Sequence, residues 1–197
     1  MKDIIRIGNG QGFWGDSIDA PVNLAKDGPL DYLTLDYLAE VTLSIMQRQK
    51  LKNINAGYAR DFIDLIRRIL PEIQGNGLKV ITNAGGVNPK TCREELLKLS
   101  EDSGKTIKIG VIQGDDIYQD IQAIRDKGIT FNHMDSGQSF DEIADKVYSA
   151  NVYINSFTIS DALEKGAQIV LAGRVSDPGL ALGPCVYEFG WNKEDYN

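Results

Sequence analysis

The sequence predicts an α/β fold: an open, mostly parallel sheet with helices on both faces, Rossmann-like and three-layered. Three observations predict it. Short apolar, strand-like runs alternate with helical stripes, the pattern of βαβ units. Short polar, glycine-rich segments follow the apolar runs, at 10–16, 36–40, 83–88, 113–116, 155–156 and 173–178. The chain has 197 residues and about seven strand-like runs, against eight units and about 250 residues for a typical closed barrel. A partial or complete TIM-like barrel is the alternative.

The elements follow in order. Residues 4–8 read as a strand, and 21–26, opening on Pro21, as a short helix. Residues 32–36 are a second strand. Leu38, Val41, Ile45 and Met46 then mark a helical stripe. Phe62, Ile66, Ile69 and Leu70 mark another, which Pro71 is expected to stop. Residues 78–82 form a strand, and Asn88-Pro89 reads as an N-cap and first turn opening a helix to about Glu101.

Residues 107–112 are the clearest buried strand. Asp115 or Asp116 caps a helix carrying Ile117, Ile121 and Ile124. Residues 129–133 are a candidate strand, and Ser139-Phe140-Asp141-Glu142 fits a capping box for a helix ending near Ser149. Residues 151–155 read as a strand, 158–165 as a helix closed by Gly166, and 168–172 as the last strand. Behind it, Glu188-Phe189-Gly190-Trp191 leads into a polar tail without a closing helix. The whole of 1–197 is read as one α/β domain forming part of a longer architecture.

Composition narrows the function. The chain is 42% hydrophobic and 25% charged, with a formal charge of −7. No basic stretch invites nucleic acid. No run approaches the roughly 20 apolar residues of a membrane span, and the N-terminus lacks the apolar core of a signal peptide. Cys92 and Cys185 show no CxxC spacing, which suits reduced thiols in the cytoplasm.

In a parallel sheet the polar segments share the carboxyl edge, where such folds bind ligands. Gly10-Gln11-Gly12-Phe13-Trp14-Gly15 formally matches GxGxxG, and Asp36 stands about where a ribose-binding acid would. However, Asp16 would repel phosphate, and the clear helix signal waits until Pro21. NAD is therefore disfavoured, and the alternative is a plain tight turn.

Asn83, Gly85, Gly86 and Asn88 form a turn before a helix N-terminus, suited either to an anionic oxygen or simply to capping. Gly114 with Asp115 and Asp116 offers paired carboxylates for a base or a divalent ion such as Mg²⁺; Asp16 is the other candidate ligand. Solvated capping is the plainer reading. Arg174, with Asp177 to orient it, can clamp a carboxylate, or the two form a structural pair. Asp36 and Glu40 are candidate bases. Asn155 is a further polar group at the shared edge. His133, the single histidine, cannot build a multi-histidine metal site, and no GxSxG elbow is present.

Several of these segments resemble the acyclic terpene utilisation AtuA-like family. The resemblance lies in residues 5–16 and 31–40, in Asn55-Ala56-Gly57-Tyr58 and in Thr82-Asn83-Ala84-Gly85-Gly86-Val87-Asn88-Pro89. It continues through Gly114-Asp115-Asp116, Gly173-Arg174-Val175-Ser176-Asp177-Pro178, Leu182-Gly183-Pro184 and Phe189-Gly190-Trp191. Family members are longer, so the resemblance implies an N-terminal portion. It also implies breakdown of branched terpenoid and leucine-type acyl chains, acting on a carboxylated small molecule or its acyl-CoA ester. Cleavage of a 3-hydroxy-3-methylglutaryl-like CoA ester is one form of that chemistry; hydration is another.

Lyase chemistry needs a base for the hydroxyl, for which Asp36, Glu40 or Asp116 would serve. It also needs a stabiliser for the enolate, for which Arg174 and the backbone from Asn83 to Gly86 would serve. The other classes are a non-catalytic nucleotide- or acyl-CoA-binding domain, and an assembly subunit that needs a C-terminal portion or a second copy. A hydrophobic patch along one sheet edge would favour the last.

Overall fold

The computed structural model describes residues 3–194; the last three residues of the polar tail lie outside it. Five parallel strands form one sheet: β1 (Ile7–Gln11), β2 (Tyr32–Leu35), β3 (Lys79–Thr82), β4 (Ile109–Ile112) and β5 (Ile169–Ala172). Their order is β1-β2-β3-β5-β4, and the sheet is open, with β1 and β4 at its edges.

The connections explain the layers. On one face lie α1 (Asp19–Asp27), α3 (Asp61–Gly75) and α4 (Pro89–Asp102), linking β1 through to β4 in one direction. The return from β4 to β5 runs the other way, so its helix α6 (Phe157–Glu164) must lie on the opposite face to keep the crossover right-handed. There α6 packs on α7 (Gly179–Phe189). A further helix, α2 (Glu40–Lys52), stands between β2 and α3.

The apolar runs alternate between two cores. Leu33, Leu35, Val80, Ile169 and Leu171 join the core under α1, α3 and α4. Tyr32, Ile81, Val170 and Ala172 join the one under α6 and α7. Successive strand residues point to opposite faces and both faces are covered, so β5 is apolar throughout, and β2 and β3 depart from that only at Thr34, Lys79 and Thr82. The stripe of α3 is fully buried at Phe62, Leu65, Ile66, Ile69 and Ile73. Each such side chain contributes about 1.5–3 kcal/mol relative to exposure. No described helix is long and apolar enough to cross a membrane.

Several expectations change. The first strand lies at Ile7–Gln11, shifted toward the glycine turn. Pro71 does not stop α3, which runs on to Gly75 because Ile73 still has a core to enter. The helix α7 was missed: Gly183 and Pro184 mask it, although Gly183 is needed where a Cβ would fall 2.5 Å from Ile159 Cγ2. Residues 129–133 form no strand. The capping-box helix is reduced to 3₁₀ turns at Phe140–Glu142 and Ala144–Lys146. The isoleucine helix shortens to a 3₁₀ turn and α5 (Ile121–Arg125). No residue from 116 to 155 is buried, so no core fixes those local preferences.

Candidate functional site

The strand order reverses between β3 and β5. The loop leaving β3 enters α4 on one face, and the loop leaving β5 enters α7 on the other. Diverging loops leave a crevice at the carboxyl ends, the usual ligand position in open α/β sheets.

On the β5 side, Arg174 lies two residues past the end of the strand, after Gly173. Its residue is 6% exposed. Guanidinium Nη1 donates to Asp177 Oδ1 at 3.0 Å and to the Val175 carbonyl at 3.1 Å. Nη2 donates to the Tyr153 hydroxyl at 3.3 Å, and the guanidinium carbon lies 4.7 Å from the Tyr153 ring centre. Burial works against the charge, and the bonds to Tyr153 and Asp177 outweigh it. Tyr153 in turn donates to Glu40 Oε1 at 3.1 Å, which is 3.7 Å from Arg174 Nη2.

Glu40 opens α2, and its pKa is lowered. The leading cause is its own backbone amide, then the Tyr153 hydroxyl, with Arg174 adding to both. It is therefore ionised at neutral pH. These groups, with Leu43, Ser44, Ser149 and Asn151, line a cavity of about 260 Å³.

Below the cavity, Asp115 is the supporting carboxylate. Its Oδ2 accepts from the Arg174 amide at 2.9 Å and from Asn151 Nδ2 at 2.9 Å. Gly173 makes this approach possible, because a Cβ there would stand 2.0 Å from Asp115 Oδ1. Residues 150–154 are threaded between the loops after β4 and β5. Val152 N donates to the Asp115 carbonyl and Ile154 N to the Arg174 carbonyl, both at 2.8 Å. The strand expected at 151–155 survives as these two isolated bridges.

On the β3 side, Asn83 is 1% exposed and orients Asp36. Asn83 Nδ2 donates to Asp36 Oδ1 at 2.7 Å, while Asn83 Oδ1 accepts from the Tyr37 amide at 2.7 Å.

The remaining candidates are placed as follows. Gly10 packs against α1, where a Cβ would meet Pro21 Cβ at 2.6 Å. The Gly12 amide donates to Asp16 Oδ2 at 2.9 Å, in the turn that contains Gly15. An internal carboxylate thus holds the amide that a phosphate would use. Gly85 and Gly86 lie in a buried turn. Gly86 has φ +52°, and a Cβ there would be 2.3 Å from Met46 Sδ. Asn88 occupies the N-cap position of α4 with Pro89 in the first turn, as expected, but its side chain makes no cap bond; its Nδ2 donates instead to the Ile54 and Ala56 carbonyls, at 2.8 Å each. Gly114 is exposed in its turn. Asp116 Oδ1 accepts from the Tyr118 amide at 3.1 Å. Asn155 Oδ1 accepts from the Phe157 amide at 3.1 Å, at the head of α6.

The structure therefore gathers Glu40, Arg174 and Asp177, supported by Asp115, and separately pairs Asp36 with Asn83. It does not gather Asp16 with Asp115 or Asp116. They follow opposite edge strands, four inter-strand spacings or roughly 19 Å apart. A single ion shared between them is corrected on that ground. Among the described residues no group of three or more His, Cys, Asp or Glu suits a metal. Sequence reasoning missed Tyr153, the residue that joins Glu40 to Arg174. The available signal was its place opposite Val152 and Ile154 in an alternating run.

The sequence model of the acyclic terpene utilisation family protein AtuA matches residues 5–197. No curated protein and no solved structure matches the chain. With nearly its whole length covered by that one description, the chain belongs to the acyclic terpene utilisation family AtuA.

Proposed function

We propose that this chain works in acyclic terpenoid and branched-acid catabolism, holding a carboxylated small molecule or its acyl-CoA ester at the Arg174 cavity for C–C cleavage or hydration. The carrying observation is the near-fully buried Arg174 at the end of a central strand, facing a cavity of about 260 Å³. That volume suits an acid head group, with a longer acyl or CoA portion left outside.

Glu40 is the exchangeable partner in this reading. Its side chain is 78% exposed and stands 3.7 Å from the guanidinium, while Asp177 is bonded at 3.0 Å. An incoming carboxylate takes the Glu40 position on Arg174 and gains charged hydrogen bonds. Glu40 stays joined to Tyr153 and accepts the substrate hydroxyl proton; its lowered pKa supplies the base form but limits its strength. Tyr153 relays a proton beside the cation that stabilises the enolate oxygen. Asp36, held by Asn83, is the second base, and its Oδ2 makes no hydrogen bond among the described residues. The environment is cytoplasmic, with neither nucleic acid nor membrane as partner.

The test is calorimetric titration with branched-chain dicarboxylic acids and their CoA esters, followed by product analysis. Binding lost in Arg174→Ala, with cleavage or hydration lost in Glu40→Gln and Tyr153→Phe, supports the assignment. Binding indifferent to Arg174→Ala removes it.

A further inference from the structure

We infer that β4 is the docking edge for a second copy of this chain, and that the partner's residues 129–133 add to it as an extra strand.

The edge is open and apolar. Lys108 O and Ile112 O accept from Gln168 N and Gly173 N of the β5 side, at 2.8 and 3.1 Å. Alternation in a parallel ladder then turns the amides and carbonyls of Ile109 and Val111 outward. A groove of about 800 Å³ follows the strand, walled by α4 and α6. Ile109, Gly110 and Val111 are only half-buried there, whereas every residue of β2 and β5 is buried. No proline interrupts this edge, and an unprotected strand of this kind recruits another.

The occupant is present in the chain as an unused strand. Within residues 129–133, Ile129, Thr130 and Phe131 are strand-forming types, yet the segment pairs with nothing as a strand. Ile129 is 52% exposed. Phe131 has φ +53°, the single left-handed non-glycine among the described residues, and extended pairing relieves it. The surrounding excursion keeps its own shape. Arg125 bonds Asp141 at 2.6 Å and lies over Phe140, which packs on Phe131. His133 N donates to the Gln138 carbonyl and Gly137 N to the His133 carbonyl, closing a turn that leaves 129–132 on the outside, toward a neighbour.

Charge selects the same pairing. The groove walls carry Arg93, Lys108 and Lys165 against Asp161. Residues 116–155 hold seven acids and three bases. Two β4 edges would bring like charges together, while groove and excursion attract. A two-fold exchange satisfies both copies and leaves neither edge open.

Sedimentation equilibrium on the full chain tests this. A dimer that weakens with salt is expected. Val111→Pro, which removes an outward amide, and the charge reversal Arg93→Glu with Lys165→Glu should each give monomer, with circular dichroism confirming the fold. A chain with Ile109→Cys and Phe131→Cys, in a Cys92→Ser, Cys185→Ser background, should oxidise to a product of twice the mass. Closure at monomer mass, meaning that the segment docks on its own edge, overturns the inference. A monomer at every concentration, or a dimer untouched by both the proline and the charge reversal, overturns it as well.

Discussion

Asp115 holds the amide of Arg174, a residue 59 positions away, through a 2.9 Å hydrogen bond from Arg174 N to Oδ2. This bond ties the loop after β5 directly to the loop after β4, beside the bridges made by residues 151–154. Asp115→Ala leaves the buried Arg174 N–H unpaired and should cost about 1–3 kcal/mol, read by urea unfolding. Gly173→Ala should cost at least as much, because its new Cβ meets the same carboxylate. A stability change near zero in both would show that the pairing is incidental.

Arg174→Ala should weaken a bound dicarboxylate by about 2–3 kcal/mol, the value of a charged hydrogen bond. Arg174→Lys keeps the charge but loses the fork, and should recover only part of the affinity. Calorimetry on the folded variants measures both.

The acid limb of stability should include Glu40. Its folded pKa lies below the model-compound value of 4.5, chiefly through its own backbone amide and then Tyr153. The contribution is thus present above about pH 4.5 and disappears as pH falls through the lower, folded value. It is small, because the side chain is exposed. Thermal melts between pH 3 and 6 (about the range where carboxylates titrate) should show wild type losing more than Glu40→Gln on acidification. Parallel curves would remove Glu40 from the acid limb.

Gly86→Ala should destabilise by at least about 1 kcal/mol, since φ +52° and contact with Met46 Sδ both oppose a side chain. Gly75→Ala, where nothing lies within 4 Å, is the control and should change little.

The two thiols should differ. Burial pushes the Cys92 thiol far up, while Cys185 is raised less and is half-buried. A thiol reagent should label Cys185 first in the native protein and reach Cys92 only on unfolding. Equal rates would mean that the α4 face opens readily.

The central strands were legible because they are buried on both sides, whereas β4, read as the clearest buried strand, is half-buried at an open edge. Runs such as Ile169–Ala172 cannot be solvent-facing, so composition alone marks them. The carboxyl edge as ligand position followed from parallel topology, and Arg174, Asp177 and Glu40 were singled out by their place after strands. Three things were not legible. Strand order decides which loops meet, and it separated Asp16 from Asp116. Tyr153 reaches Arg174 only because residues 150–154 are threaded between two loops; the alternating run could mark Tyr153 as opposite Val152 and Ile154, but not say which loops it would meet. The helices expected between 117 and 149 had capping residues and stripes but no surface to pack on, and propensity without burial holds only short turns.

The position of β5 between β3 and β4 has a consequence for synthesis. Until Ala172 has left the ribosome, the strand made before it has no neighbour to join. A nascent chain released before that point carries β4 as a detached, apolar ribbon. Assembly of this sheet is thus a late event, completed by an insertion at its middle and not by growth at its rim.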